Sequence, residues 1–225
     1  MPTRSTRFDD ALRELQADLL RMASFTEQML GDAVRSLTEQ DASLADDVIR
    51  RDDTVDDMDM DIEARCMRML GLHHLGSKDL RIIGTAMKVI ADLERIGDYS
   101  VDIARTAKVL AGTEYSEPLE DIPRMAELTQ GMVRDALTAF VRRDLKLVRK
   151  VCDEDEAVDG LWELLMQELV GRMSGDPAVC QQATHLLLVA RYLERIADHA
   201  TNVAERVAYI ETGKLEQLAA SHKTS

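Results

Sequence analysis

The second half of this chain repeats the first, and this repeat constrains the fold more than any other feature of the sequence. Asp52 and Asp155, 103 residues apart, each begin a run of the form Asp-x-x-Val-Asp. A shift of 100 residues matches 93–96 with 193–196, both of which read Leu-Glu-Arg-Ile. The sequence therefore predicts two three-helix units, residues 1–112 and 113–225, joined near residues 111–121.

The composition, and the placement of residues that begin and end helices, favour helices along the whole chain. Only 11 Gly and 4 Pro occur among 225 residues, and aromatic residues make up 4%, which argues against sandwiches and barrels. Asp residues at the N-cap position begin several of the segments, and Gly residues end them. The polar tail beyond Gly213 is expected to fray. The six predicted helical segments are about 8–39, 42–70, 77–110, one opening at 121–123, one from Asp144 to about 171–175, and one from Asp176-Pro177 to Gly213.

Heptad repeats indicate what the third and sixth segments bury. Apolar or small residues occupy two positions of each heptad, three residues apart, as in the a/d seam of an antiparallel bundle. The predicted fold is accordingly all-α, with two tandem antiparallel three-helix bundles. The seam positions are Ala86, Val89, Leu93, Ile96, Ser100, Ile103, Ala107 and Leu110 in the third segment, and Leu186, Val189, Leu193, Ile196, Ala200, Val203, Val207 and Ile210 in the sixth.

The charge balance excludes several classes of partner. With 28 Lys+Arg against 42 Asp+Glu the net charge is −14, which repels the phosphates of nucleic acids and anionic lipids. No apolar run approaches the roughly 18 residues of a membrane span, and the first residues lack a secretory signal. We therefore expect a cytoplasmic protein with no nucleic-acid partner and no direct membrane insertion, and three unpatterned cysteines fit that reducing compartment.

Acidic residues lie beside the seams at the i, i+4 spacing of one helix face. Counting outward from each turn places the stripes of neighbouring segments at the same height. Because the stripes flank the apolar faces, we expect a site at the surface rather than inside a bundle. Oxygen ligands without Cys or His suit a hard divalent or trivalent cation such as iron, manganese, magnesium or calcium. The candidate metal ligands are Asp52, Asp56, Glu94, Asp98 and Asp102 in the first half, and Asp155, Asp159, Glu194, Asp198 and Asn202 in the second.

Two alternatives remain open at this point. The acidic stripes could be solvated faces neutralised by Arg95 and Arg195, which would make the chain a metal-free helical scaffold. A carboxylate-bridged di-iron enzyme of the ferritin-like type is the other, but that fold uses Glu-x-x-His pairs inside a bundle, and none stands at the matched heights. The sequence also lacks a Ser-His-Asp order, a P-loop and a GxGxxG loop, so we expect no enzyme.

Other residues fit structural roles. His73 and His74 are expected in a solvated turn, and His199 is not expected to be a ligand. Cys66 falls on an apolar stripe and is expected in the core. Trp162 is expected in the core or in a contact between the two bundles.

Two matching runs carry a resemblance to a known family. Residues 92–104 read Asp-Leu-Glu-Arg-Ile-Gly-Asp-Tyr-Ser-Val-Asp-Ile-Ala, and residues 192–204 read Tyr-Leu-Glu-Arg-Ile-Ala-Asp-His-Ala-Thr-Asn-Val-Ala. Together with the Asp-rich run 52–56, the entry 78–81 and the opening 7–9, they resemble the paired signatures of the PhoU family. The resemblance spans nearly the whole chain, although the family's usual proline before the third segment is absent.

The resemblance implies two three-helix bundles and a cytoplasmic, non-enzymatic regulator of bacterial phosphate uptake. Such a regulator acts with the phosphate-specific ABC transporter, through its ATPase, and with a sensor histidine kinase. It represses the phosphate-starvation response when phosphate is plentiful. The resemblance also implies a homodimer, and multinuclear metal clusters on the paired carboxylates. Asp102 stands where the second half has the more usual Asn202.

Overall fold

The computed structural model describes residues 6–71, 75–113, 121–175, 179–214 and 216–219. All regular secondary structure within these ranges is helical, which confirms the predicted all-α class. The helices there are α1 (Thr6–Thr38), α2 (Ala42–Arg50), α3 (Asp52–Leu70), α4 (Ser77–Leu110), α5 (Asp121–Arg142), α6 (Leu145–Gly175) and α7 (Cys180–Thr212).

The second predicted segment, 42–70, is divided into two helices at Arg51, so the expectation of one continuous helix was wrong. The carbonyl of Arg51 accepts hydrogen bonds from the amides of both Thr54 (3.1 Å) and Val55 (3.3 Å), which tightens the turn locally. The Arg51 side chain reaches α1, where its Nη1 lies 2.6 Å from Oδ2 of Asp32. The matching residue of the second half is Glu154, which lies within the continuous helix α6.

The repeat is visible in the turns that follow α1 and α5. Gln40 (φ 55°) and Arg143 (φ 56°), 103 residues apart, both adopt the left-handed conformation. The following residues, Asp41 and Asp144, are the predicted N-caps. Oδ1 of Asp41 accepts from the amides of residues 43 and 44 at 2.9 and 3.0 Å, and Oδ1 of Asp144 accepts from those of residues 146 and 147 at 2.8 and 3.4 Å. Each cap thereby satisfies two amides that the first helical turn leaves without partners.

Every predicted seam position of α4 and α7 is buried, from Ala86 to Leu110 and from Leu186 to Ile210. Cys66 is also fully buried, as expected. Burial of this continuous apolar stripe is the main force holding the helices together, at about 25 cal/mol for each Å² removed from water.

The two bundles share a broad interface. Helices α1 to α4 form the first bundle and α5 to α7 the second, while α4 packs along α7 and α1 contacts α5. The resulting order of helices is α3, α4, α7, α6, with α1 packed against α3 and α4, and α5 packed against α6 and α7. This order places one pair of acidic stripes between α3 and α4, and the other between α6 and α7.

The C-terminal segment 216–219 returns to α7, so the expectation that the whole tail frays was wrong for these residues. Oε1 of Glu205 accepts from the amides of Leu218 (2.5 Å) and Ala219 (3.2 Å), and Ala219 is buried. A buried carboxylate therefore anchors the tail. The predicted cap at 176–177, the turn histidines at 73–74 and the link at 114–120 lie outside the described residues.

Candidate metal centres at two carboxylate patches

The first patch consists of Asp52 and Asp56 on α3 with Glu94 and Asp98 on α4. Burial is the main cause that raises the pKa of Asp52, and the charges of Asp98 and Asp56 raise it further. The pKa of Glu94 is raised in the same way, by burial first and then by Asp98, with Asp56 and Asp59 as smaller contributors. Carboxylates of the two helices therefore act on one another across the helix pair, as the matched heights predict.

Arg95 supplies a positive charge to the first patch from its exposed side. Its Nη1 lies 2.7 Å from Oδ2 of Asp98, and its Nε lies 3.4 Å from Oε2 of Glu94. Because more than half of its side chain is exposed, solvent screens these interactions. A second positive charge, that of Arg105, lowers the pKa of Asp52 in opposition to the burial that raises it.

A glycine allows α3 and α4 to approach closely beside the first patch. A Cβ on Gly97 would lie 3.3 Å from Cγ1 of Val55, which is tighter than ordinary van der Waals contact. The matching residue in the second half is Ala197. The two helix pairs therefore differ by one methyl group at this position of the repeat.

The second patch consists of Asp155 and Asp159 on α6 with Glu194 and Asp198 on α7. Asp155 is 1% exposed and accepts a hydrogen bond from Oγ1 of Thr201 at 3.2 Å. Glu194 is 8% exposed. The expectation of a purely surface site was therefore wrong here, because α6 and α7 cover these carboxylates with neighbouring side chains.

Burial raises the pKa of two acids of the second patch. It raises the pKa of Glu194 to about 7, with Asp198 as the next cause. It also raises the pKa of Asp159 to about 6, with Asp155 and Asp198 adding to the effect. Oε1 of Glu194 accepts from Arg191, but its Oε2 is buried without a hydrogen-bond partner in the described part of the chain. An oxygen of this kind is available to a cation.

Between the two patches, α4 and α7 meet in a polar seam that sequence reasoning missed. Nδ1 of His199 lies 2.9 Å from Oδ1 of Asp92, and the amide of Asn202 donates to the same oxygen at 3.4 Å. The rings of Tyr99 and Tyr192 stack with centroids 5.9 Å apart. These contacts show that α4 and α7 run antiparallel. The polar residues flanking each heptad seam were the available signal.

Asp102 and Asn202, the last candidate ligand of each stripe, lie on the side of this seam. Asp102 pairs with Arg105 at 3.0 Å. Its charge also helps to raise the pKa of Tyr192, for which burial is the larger cause. Asn202 is engaged with α4 across the seam, so a ligand role for either residue stays a prediction.

A sequence model of the PhoU domain matches residues 19–107 and 122–207. The chain belongs to the PhoU family. Its first matched range contains the whole first patch and its second range the whole second patch, so the carboxylate pairs fall inside both PhoU domains.

Relatives and solved structures agree with this assignment. The chain is 39% identical over 208 residues to the phosphate-specific transport system accessory protein PhoU homolog of Clostridium acetobutylicum, covering 92% of this chain and 95% of that one. It is 39% identical to the homolog of the same name from Aquifex aeolicus, with 91% and 92% covered. The crystal structure of PhoU from Pseudomonas aeruginosa matches with a TM-score of 0.89 at 35% identity, covering 92% of this chain and 100% of that one. The phosphate transport system regulatory protein PhoU from Streptococcus pneumoniae matches with a TM-score of 0.85 at 30% identity, covering 93% and 99%.

The donor chemistry of both PhoU domains fits a hard cation. Each patch offers carboxylate oxygens. In the second patch, Oε2 of Glu194 accepts no hydrogen bond within the described ranges, although Nε of Arg195 lies 3.8 Å from it. The side chains do not form a finished ligand set, since no three Asp, Glu, His or Cys residues in the described ranges are grouped closely enough to hold one ion. Facing carboxylates repel one another, so metal binding requires their side chains to turn toward the incoming cation.

No helix in the described ranges is both long and apolar enough to span a bilayer.

Proposed function

We propose that the chain is a cytoplasmic, non-enzymatic adaptor that regulates phosphate uptake. It acts between the ATPase of a phosphate-specific ABC transporter and a sensor histidine kinase, and it represses the starvation response when phosphate is plentiful. The observation that carries the proposal is the match over nearly the full length to relatives named as accessory proteins of phosphate-specific transport. The similarity to a phosphate transport system regulatory protein supports it.

Metal binding at the two patches is the second part of the proposal. Iron, manganese, magnesium or calcium would be held by Asp52, Asp56, Glu94 and Asp98, and by Asp155, Asp159, Glu194 and Asp198. A hard cation supplies positive charge that neutralises clustered carboxylates. Because each patch draws its ligands from two helices, occupation would join α3 to α4 and α6 to α7, and so alter the surface that a partner meets.

Deletion of the gene in its native bacterium tests the adaptor role. Phosphate uptake, or expression of a starvation-induced reporter, should rise in phosphate-rich medium, and the wild-type gene supplied in trans should restore repression. An unchanged phenotype in a genome without a second PhoU copy would contradict the proposal. A tagged copy in the complemented strain should retain the transporter ATPase and the histidine kinase on affinity purification, and should elute at the mass of a homodimer.

A metal-free scaffold is the second candidate function, favoured by the absence of a ready ligand cluster among the described residues. Elemental analysis of the protein purified without chelators separates the two. Metal in stoichiometric amounts that is lost when the patch carboxylates are replaced supports metal binding at the patches. A metal-free protein that still restores repression supports the scaffold.

A further inference from the structure

Arg191 of α7 occupies one side of the second patch. Its Nη1 lies 2.6 Å from Oε1 of Glu194. Its guanidinium carbon lies 5.5 Å from the ring centroid of Trp162 on α6, in a cation–π contact. Two contacts on two different helices therefore hold this positive charge in place.

The charge of Arg191 acts on acids of both helices. It lowers the pKa of Glu194 and that of Asp159, in opposition to the burial that raises both. Arg195 also lies near Glu194, but its Nε is 3.8 Å from Oε2, and its side chain is more exposed than that of Arg191. Arg191 is thus the better-placed positive charge of this patch.

At the positions that match Arg191 and Trp162, the first half has neither a positive charge nor an aromatic ring, although Arg105 lowers the pKa of Asp52 from elsewhere on α4. The residue 100 positions before Arg191 is Ala91, and the residue 103 positions before Trp162 is Asp59. The first half therefore has a methyl group where the second has a guanidinium, and a carboxylate where the second has an indole. Asp59 contributes to the negative potential felt by Glu94.

We propose that Arg191, held over Trp162, is a built-in counter-cation that competes with metal for the second patch and makes it the weaker of the two sites. The inference rests on the proposed metal binding. A cation at the second patch must displace Arg191 from Glu194, or bind Oε2, which accepts no hydrogen bond among the described residues, while the guanidinium of Arg191 stays within a few ångströms. Either alternative costs affinity, since like charges repel strongly where burial lowers the effective dielectric constant.

Arg191→Met tests the inference because it removes the charge and keeps an apolar side chain of similar length beside the indole. The background carries Glu94→Ala and Asp98→Ala, so that only the second patch binds. Mn²⁺ is titrated at pH 7.5, with free ion counted by electron paramagnetic resonance and folding checked by circular dichroism. We expect Arg191→Met to tighten Mn²⁺ binding by roughly tenfold or more. Arg191→Lys, which keeps the charge, should stay close to the parent.

Arg195→Met is the matched control, because this residue contacts the same carboxylate from a more exposed position. It should tighten binding less than Arg191→Met does. Equal affinities of Arg191→Met and the parent, in a protein whose first patch binds Mn²⁺ when intact, overturn the inference and leave the metal proposal standing. Absence of Mn²⁺ binding at both patches in every variant overturns both. If Arg191→Met fails to fold, Trp162→Leu provides the test, since loss of the ring contact should also tighten binding.

Discussion

At the scale of single residues, the two positions in the left-handed conformation have side-chain contacts to distant parts of the chain. The left-handed conformation costs a non-glycine residue about 1–2 kcal/mol, and both Gln40 and Arg143 adopt it. Nε2 of Gln40 donates to the carbonyl of Thr113 at 2.5 Å, just beyond α4. Arg143 lies over the ring of Phe140 and points its Nε toward Glu211 of α7 at 3.9 Å. In each half, the strained side chain thus contacts the C-terminal end of the last helix.

Glu194 gives the clearest pH dependence. Its folded-state pKa is about 7, against an ordinary value of 4.5. A raised carboxyl pKa means that the folded state favours the protonated form. This contribution is fully present below pH 4.5 and is lost as the pH rises through 7. The shift corresponds to about 3 kcal/mol at most.

We therefore expect Glu194→Gln to unfold with nearly the wild-type free energy at pH 4.5 and to be more stable than wild type by about 1–3 kcal/mol at pH 8, without metal. Urea denaturation with a chelator present measures this difference. Thr201→Ser, a substitution outside the ligand set, should show no comparable change between the two pH values. If the wild-type protein became more stable relative to Glu194→Gln as the pH rises, the raised pKa of Glu194 would be contradicted.

At the scale of helices, features that depend on local residue spacing were predictable, whereas side-chain contacts between distant segments were not. The heptads fixed the buried faces of α4 and α7, and the Asp caps fixed the starts of α2 and α6, because both depend on local spacing. The break at Arg51 depends on Asp32 of another helix, and the return of the tail depends on Glu205. No local pattern encodes such tertiary partners.

The carboxylates of the site divide in the same way. In the first patch, the heights of the carboxylates followed from counting residues along antiparallel helices, and the effects of these acids on one another's pKa agree with the count. The count of residues did not predict that carboxylates of the second patch are buried. The two buried carboxylates, Glu194 and Asp155, accept hydrogen bonds from Arg191 and Thr201, and the acidic stripes do not reveal these partners.

Gly97 makes the spacing of α3 and α4 testable. In Gly97→Ala the new methyl group would lie 3.3 Å from Cγ1 of Val55, so the side chain of Val55, or α3 with it, has to move by a few tenths of an ångström. The intrinsic gain of alanine in a helix, about 1 kcal/mol, is offset by this overpacking. We expect little net change in stability but a several-fold weaker binding of Mn²⁺ at the first patch, measured with Glu194→Ala and Asp198→Ala in the background.

Gly84→Ala on the same helix is the control, because a Cβ there meets nothing within 4 Å. It should raise stability by about 1 kcal/mol and leave Mn²⁺ binding unchanged. Adding Val55→Ala to Gly97→Ala should restore much of the lost affinity. Unchanged binding in Gly97→Ala would show that helix separation does not limit the site.

At the scale of the whole molecule, the two patches are related by the repeat but differ in charge. The first half offers Asp59, Glu63 and Asp102 beside its patch, where the second has Trp162, Met166 and Asn202. Affinity for hard cations rises with carboxylate count, and relief of repulsion adds to the gain. The first patch should therefore bind cations more tightly and gain more stability from them.

Two double variants compare the patches directly. Replacing Glu94 and Asp98 by Ala should lower metal content, and the rise in Tm on adding Mn²⁺, more than replacing Glu194 and Asp198 does. Both quantities are measured on proteins purified in parallel, by elemental analysis and thermal unfolding. Equal losses, or a larger loss from the second pair, would refute the asymmetry.

The seam between α4 and α7 has a consequence for how the two halves of the chain combine. Because the helices cross antiparallel, position 92 faces 199 and position 99 faces 192. Two copies of the first half, joined by the same surface, would place Asp92 opposite Tyr99. Two copies of the second would place Tyr192 opposite His199. Neither combination recreates the pair of Asp92 and His199, so this contact requires one copy of each half.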